Sequence, residues 1–165
     1  YPLPEAQLDR FLFKVNVPFP TVENLITIID RTTGLDAPTA SRAANGAEIV
    51  EMGKLALGTP ISSEMNRYVA QIIVASHPDS ELAPQVVKDF VRYGASPRGA
   101  QALILGAKIN ALLDGNFNVS REDVKAVAVA ALRHRLLLNF EGMAEGVSVD
   151  AVISDVLKSV DRVRV

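Results

Sequence analysis

The sequence predicts a mostly α-helical fold preceded by one short strand. Three observations carry that prediction. Apolar residues recur at intervals of three and four along most of the 165 residues, glycine and proline fall between those stretches, and only one early segment alternates apolar with polar residues. Apolar residues make up 48% of the chain, aromatics only 5%, and alanine, leucine and valine dominate, which suits helices packed closely through small side chains.

The strand is expected at Phe11-Leu12-Phe13-Lys14-Val15-Asn16-Val17, which alternates around Lys14 and Asn16 and halts at Pro18 and Pro20. Asp9 and Arg10 run straight into it, without a starter methionine or signal peptide, so the chain is expected to begin inside a larger protein. Thr21 is placed to cap a first helix whose Val22, Leu25, Ile26 and Ile29 share a face and which ends near Gly34. Leu35 to Asn45 has weak periodicity and a proline, and reads as a loop.

Ile49, Val50, Met52, Leu55 and Leu57 mark a second helix that breaks at Gly58-Thr59-Pro60. Ser62 and Ser63 are cap candidates for a third, with Met65, Val69, Ile72 and Ile73 on one face up to His77-Pro78. Between His77 and Ala95 only Val86, Val87, Phe90 and Val91 suggest a short helix. Ser96-Pro97-Arg98 is a strong start: Ser96 can cap, and Pro97 lacks only a donor that the first helical position would orphan. Leu103, Ile104, Ala107, Ala111 and Leu112 follow at core spacing before Gly115. Ser120 to Asp123 resembles a capping box opening a helix to about Leu138, and Ser148 opens a last one after a loop from Glu141 to Gly146. The sum is one strand and five or six helices.

Charge and motif content exclude several functions. A net charge of −2 supplies no basic field for nucleic acid, and with no cysteine there are neither disulfides nor thiolate metal sites. A reducing compartment is compatible with that. No apolar run approaches the roughly 18 residues of a membrane span. His77 and His134 are isolated, so metal binding is unsupported, and a Gly-x-Ser-x-Gly elbow is missing. Gly53-Lys54 approaches a phosphate loop, but Leu55 stands where a hydroxyl is needed.

Two arginines remain as candidates. Arg98, near the start of a helix, adds a guanidinium fork to free backbone donors that already suit an anion; the plain alternative is a solvated pair with a surface carboxylate. Arg10 is either one half of a weak surface pair or a finger presented to a nucleotide.

Five ordered blocks resemble the MoxR-type AAA+ ATPases: residues 1–11 (Tyr-Pro-Leu-Pro-Glu-Ala-Gln-Leu-Asp-Arg-Phe), 94–99 (Gly-Ala-Ser-Pro-Arg-Gly), 111–115 (Ala-Leu-Leu-Asp-Gly), 119–125 (Val-Ser-Arg-Glu-Asp-Val-Lys) and 132–136 (Leu-Arg-His-Arg-Leu). The resemblance implies an ATP-driven, chaperone-like, ring-forming protein, with residues 1–34 as the end of an α/β core and 35–165 as an α-helical lid. It implies that Arg10 is an arginine finger reaching the neighbouring subunit's ATP, and that Arg98, with Ser96 and Pro97, forms the second sensor of the γ-phosphate. ATP and Mg2+ are the implied cofactors of the intact protein, whose phosphate loop would lie upstream, so this chain alone is expected neither to hydrolyse ATP nor to hold it tightly. Analogy further suggests a hexamer, a cytoplasmic address and a partner with a von Willebrand A-type domain, which carries a metal-ion-dependent adhesion site. For Leu132-Arg133-His134-Arg135 the residues themselves suggest a core leucine beside a solvated or ion-paired basic patch. The family often has paired prolines before that tag; here Val127 to Ala131 has none, so the helix is expected to run on. The rival to the whole reading is a non-catalytic helical protein-interaction module.

Overall fold

The computed structural model describes residues 3–35 and 39–162. Tyr1 and Pro2 of the opening block, and Asp36, Ala37 and Pro38 of the expected loop, lie outside the described residues. The described chain contains nine helices, several of them short, and two short strands: α1 (Glu5–Leu8), α2 (Val22–Thr32), α3 (Gly46–Gly58), α4 (Ser63–Ala75), α5 (Gln85–Phe90), β1 (Val91–Tyr93), α6 (Pro97–Leu113), α7 (Arg121–Leu132), β2 (Leu137–Leu138), α8 (Phe140–Ala144) and α9 (Val149–Arg162). The mostly α-helical class follows from the sequence as predicted. The chain divides into two compact units, one of Tyr1–Lys14 with Lys54–Val165 and one of Val15–Gly53.

In the smaller unit, α2 begins where Thr21 accepts the Asn24 N–H at 3.3 Å. Its stripe of Val22, Leu25, Ile26 and Ile29 is exposed, and α2 buries no residue. The start of α3 is held by a reciprocal pair: Asn45 Oδ1 accepts the Glu48 N–H at 3.0 Å while the Glu48 carboxylate accepts the Asn45 N–H at 2.7 Å.

In the larger unit, α4, α6, α7 and α9 form the core, with Ile72, Leu103, Leu132, Ile153 and Val124 fully buried. Ser62, Ser96 and Ser120 cap α4, α6 and α7, and the capping box of α7 is complete, with Asp123 in the place usually taken by glutamate. Gly115 follows α6 at φ 75, the left-handed region that glycine enters most cheaply. Gly106 lets α6 come close to its neighbours: an added Cβ would stand 2.8 Å from the Phe13 ring and 3.2 Å from Val127.

Several expectations are corrected. Phe11–Val17 is not a strand. Among the described residues its backbone bonds to other elements are a turn bond from the Phe11 N–H to the Leu8 carbonyl at 3.0 Å and one from the Lys14 N–H to the Ala130 carbonyl at 2.9 Å, and side chains described below take the Phe11, Leu12 and Lys14 carbonyls. Alternation alone makes no strand where no ladder partner lies alongside. The sheet lies elsewhere, as an antiparallel pair of β1 and β2 matching Val91 to Leu138 and Tyr93 to Leu137.

Helix α7 crosses Val127 to Ala131 unbroken but stops at Leu132 instead of about Leu138. The Arg135 and Leu136 N–H groups turn back onto the Leu132 carbonyl, which frees Leu137 and Leu138 to pair with β1. Part of the expected loop from Glu141 is helical instead: Asn139 caps α8 through the Gly142 N–H, and glycine is needed there because a Cβ would lie 2.9 Å from the Phe90 carbonyl oxygen.

Candidate functional site

The α6 cap sets the geometry around Arg98. Ser96 Oγ accepts the Arg98 N–H at 3.1 Å and lies 2.9 Å from both carboxylate oxygens of Asp9, to which it donates. Asp9 is the residue that ends α1, its N–H bound to the Glu5 carbonyl. The Arg98 guanidinium meets the same carboxylate, Nη1 to Oδ2 at 3.1 Å, while its side chain stays 52% exposed. On sequence the plain alternative for Arg98 was a carboxylate partner, and the structure supplies one, though Asp9 itself is largely covered.

A third group completes the cluster. Arg135, only 2% exposed in its side chain, donates from Nε to Asp9 Oδ1 at 3.1 Å. Its Nη2 donates to the backbone carbonyls of Asp9 (3.0 Å) and Phe11 (2.7 Å), and its Nη1 to those of Leu12 (3.1 Å) and Ala131. One buried guanidinium thus fixes the chain on both sides of Arg10. His134 Nε2 donates to the same Phe11 carbonyl at 2.9 Å, and Arg133 pairs with Asp150 (Nη2 to Oδ2, 2.6 Å) and reaches the Lys14 carbonyl. Arg133 and Arg135 are therefore both ion-paired, one of the two expected alternatives, while His134 and Arg135 are buried and not solvated.

The electrostatics follow the same division. Burial opposes ionisation of Asp9, but hydrogen bonds from Arg98, Ser96 and Arg135 outweigh it and hold its pKa below the ordinary carboxylate value. Burial lowers the pKa of His134, against the pull of the Phe11 carbonyl, and Arg135 beside it adds to the lowering. The ring is therefore neutral near pH 7, with the proton on Nε2 and its buried Nδ1 without a hydrogen-bond partner.

Arg10 is exposed, and its side chain makes no hydrogen bond or ion pair among the described residues. Asp9, its sequence neighbour, is committed to Arg98 and Arg135 instead. Arg10 and Arg98 nevertheless line one open cleft of about 220 Å³ with Asp9, Leu12, Gln101, Ala102, Leu105 and Arg135. With Arg135 already spent on Asp9 and backbone carbonyls, the Arg10 and Arg98 guanidinium groups leave an excess of positive charge at the cleft that suits an anion such as a phosphate. They do not suit a divalent cation, and among the described residues no cluster of acidic or histidine side chains could hold a metal ion. Pro97 occupies the first turn of α6 and contributes shape only.

Of the residues that sequence reading singled out, the fold brings Arg10 and Arg98 to one cleft, while Ser96 and Pro97 shape the start of α6 beside it; sequence reading missed Asp9 and Arg135 as its centre. The available signal was the pair of blocks Leu-Asp-Arg-Phe and Leu-Arg-His-Arg, whose opposite charges meet in space.

Residues 84–156 of this helical bundle match the AAA lid domain family. Along 97% of its length the chain is 36% identical to Chaperone MoxR1 of Mycobacterium tuberculosis, and 27% identical to the uncharacterized protein YeaC of Bacillus subtilis, covering 42% and 48% of those proteins. A solved structure of a candidate ATPase from Cytophaga hutchinsonii superposes with a TM-score of 0.89 at 29% identity, over 96% of this chain and 48% of that one. Residues 84–156 thus form an AAA lid domain, and nearly the whole chain is similar to MoxR-like AAA+ proteins, spanning somewhat less than half the length of these relatives. No described helix is long and apolar enough to cross a membrane.

Proposed function

We propose that this chain serves as the lid of an ATP-driven, chaperone-like AAA+ protein and reads the state of the bound nucleotide. Residues 1–34 are then the end of the α/β core and 35–165 the lid. Arg98 clamps the γ-phosphate of the ATP held by its own subunit, and Arg10 reaches the ATP of a neighbouring subunit in a ring, by analogy a hexamer. ATP and Mg2+ belong to the intact, cytoplasmic protein; the sequence has no phosphate loop and the described residues hold no carboxylate cluster for the metal, so binding and cleavage depend on the rest of that protein. The partner by analogy is a von Willebrand A-type domain protein.

The observation that carries the reading is the cleft itself: two partly free arginines, one at a helix start, with only Asp9 to balance them. The test is ATP affinity and steady-state turnover of the intact protein with Arg98→Ala and, separately, Arg10→Ala. Loss of a phosphate-clamping arginine should cost on the order of tenfold or more, in affinity for Arg98 and in turnover for Arg10. Wild-type values in both variants would remove these residues from the site. The apolar stripe of α2, exposed along its length, favours as a second reading a docking role for a protein partner.

A further inference from the structure

Arg10 and Arg98 stand on different elements, α1's exit and α6's start, yet both are tied to one side chain. We infer that Arg135 is the positioning residue of this site: its buried guanidinium sets the backbone that presents Arg10 and, through Asp9, the resting position of Arg98. The inference rests on the phosphate-reading roles proposed above for Arg10 and Arg98.

The geometry is specific to arginine. Nε takes the Asp9 carboxylate, while Nη1 and Nη2 take the carbonyls of Asp9, Phe11 and Leu12, the residues flanking Arg10. A fourth carbonyl, that of Ala131, anchors the fork to the last turn of α7. A lysine has three donors on one atom and cannot reproduce five contacts spread along a planar fork. Arg10 forms no side-chain bond of its own, so its placement comes from its backbone, and Arg135 is what holds that backbone. Arg98 differs, because its one side-chain partner is the Asp9 oxygen opposite the one that Arg135 holds. A movement of α7 is therefore transmitted to both arginines at once.

The experiment is a pair of double-mutant cycles in the intact ATP-hydrolysing protein, read as kcat and ATP Kd well below each variant's Tm. Arg135→Lys is expected to lower kcat about tenfold, as Arg10→Ala does, and to change ATP Kd several-fold, as Arg98→Ala does. Added to Arg10→Ala, Arg135→Lys should lower kcat less than twofold further; added to Arg98→Ala, it should change Kd less than twofold. Multiplicative losses in either cycle, or a lowered Tm with unchanged kcat and Kd, would overturn the inference while leaving the roles of Arg10 and Arg98 intact. Wild-type behaviour of the single Arg10→Ala and Arg98→Ala variants removes those roles and the inference with them.

If Arg135→Lys does not fold, Asp9→Asn keeps the shape and cuts the charge that joins Arg135 to Arg98. A several-fold change in ATP Kd that disappears in the Arg98→Ala background supports the coupling. An unchanged Kd, or a change that persists in that background, contradicts it.

Discussion

The two sides of the Asp9 carboxylate could hardly differ more. On one side Arg135 is sealed, 2% exposed, with every donor direction occupied; on the other Arg98 is half in solvent with a single ion pair. The same chemical pair, arginine with aspartate, does opposite work in the two places. A buried pair cannot lose a partner without leaving a desolvated charge, so it fixes structure. An exposed pair gains little from its Coulomb attraction and can exchange its carboxylate for another anion at small cost, so it suits recognition.

The strongest way to break that contrast is to remove the sealed partner. Arg135→Ala should destabilise the chain by about 3–5 kcal/mol, because four carbonyls and one carboxylate oxygen each lose a donor together and Asp9 loses its buried counter-charge; urea denaturation measures it, and a loss below about 1 kcal/mol would erase the distinction. Next in size is Ile72→Ala in the bundle core, expected to cost about 2–5 kcal/mol. In contrast, Ile26→Ala on the exposed stripe of α2 should stay within about 0.5 kcal/mol in the same assay.

Acid sharpens the comparison further. The pKa values of Asp9 and His134 are both depressed in the folded chain, so their contribution is complete above the unfolded values and is lost as pH falls through the folded ones. Stability should therefore begin to fall as pH drops below the ordinary histidine value, about 6.5, because protonation of His134 is disfavoured in the folded chain, and again below the ordinary aspartate value, about 3.9, for Asp9. In Asp9→Asn the second decline should shrink while the first persists. Arg98→Ala, which removes only a half-exposed ion pair, is expected to change stability by no more than about 1 kcal/mol.

What could be read in advance follows from how local each signal is. Caps at Thr21, Ser62, Ser96 and Ser120 act within three residues, and each opened its helix where the sequence placed it. The end of α7 was not legible, because what stops it is the pairing of Leu137 and Leu138 with β1, more than forty residues back. The Phe11–Val17 segment misled for the same reason in reverse: its alternation was visible, but the groups that take its carbonyls come from Arg133, His134 and Arg135. The site was half legible. Arg98 stood out through the helix start on its own element, whereas the burial of Arg135 depends on a contact 126 residues away in sequence.

The most direct test of the account compares two nucleotides on the intact protein carrying Arg98→Ala. If the open arginine reads the γ-phosphate, ATP should bind on the order of tenfold more weakly than to the unaltered protein while ADP changes by less than about twofold. Equal losses for both nucleotides, or none for either, would contradict the assignment of Arg98.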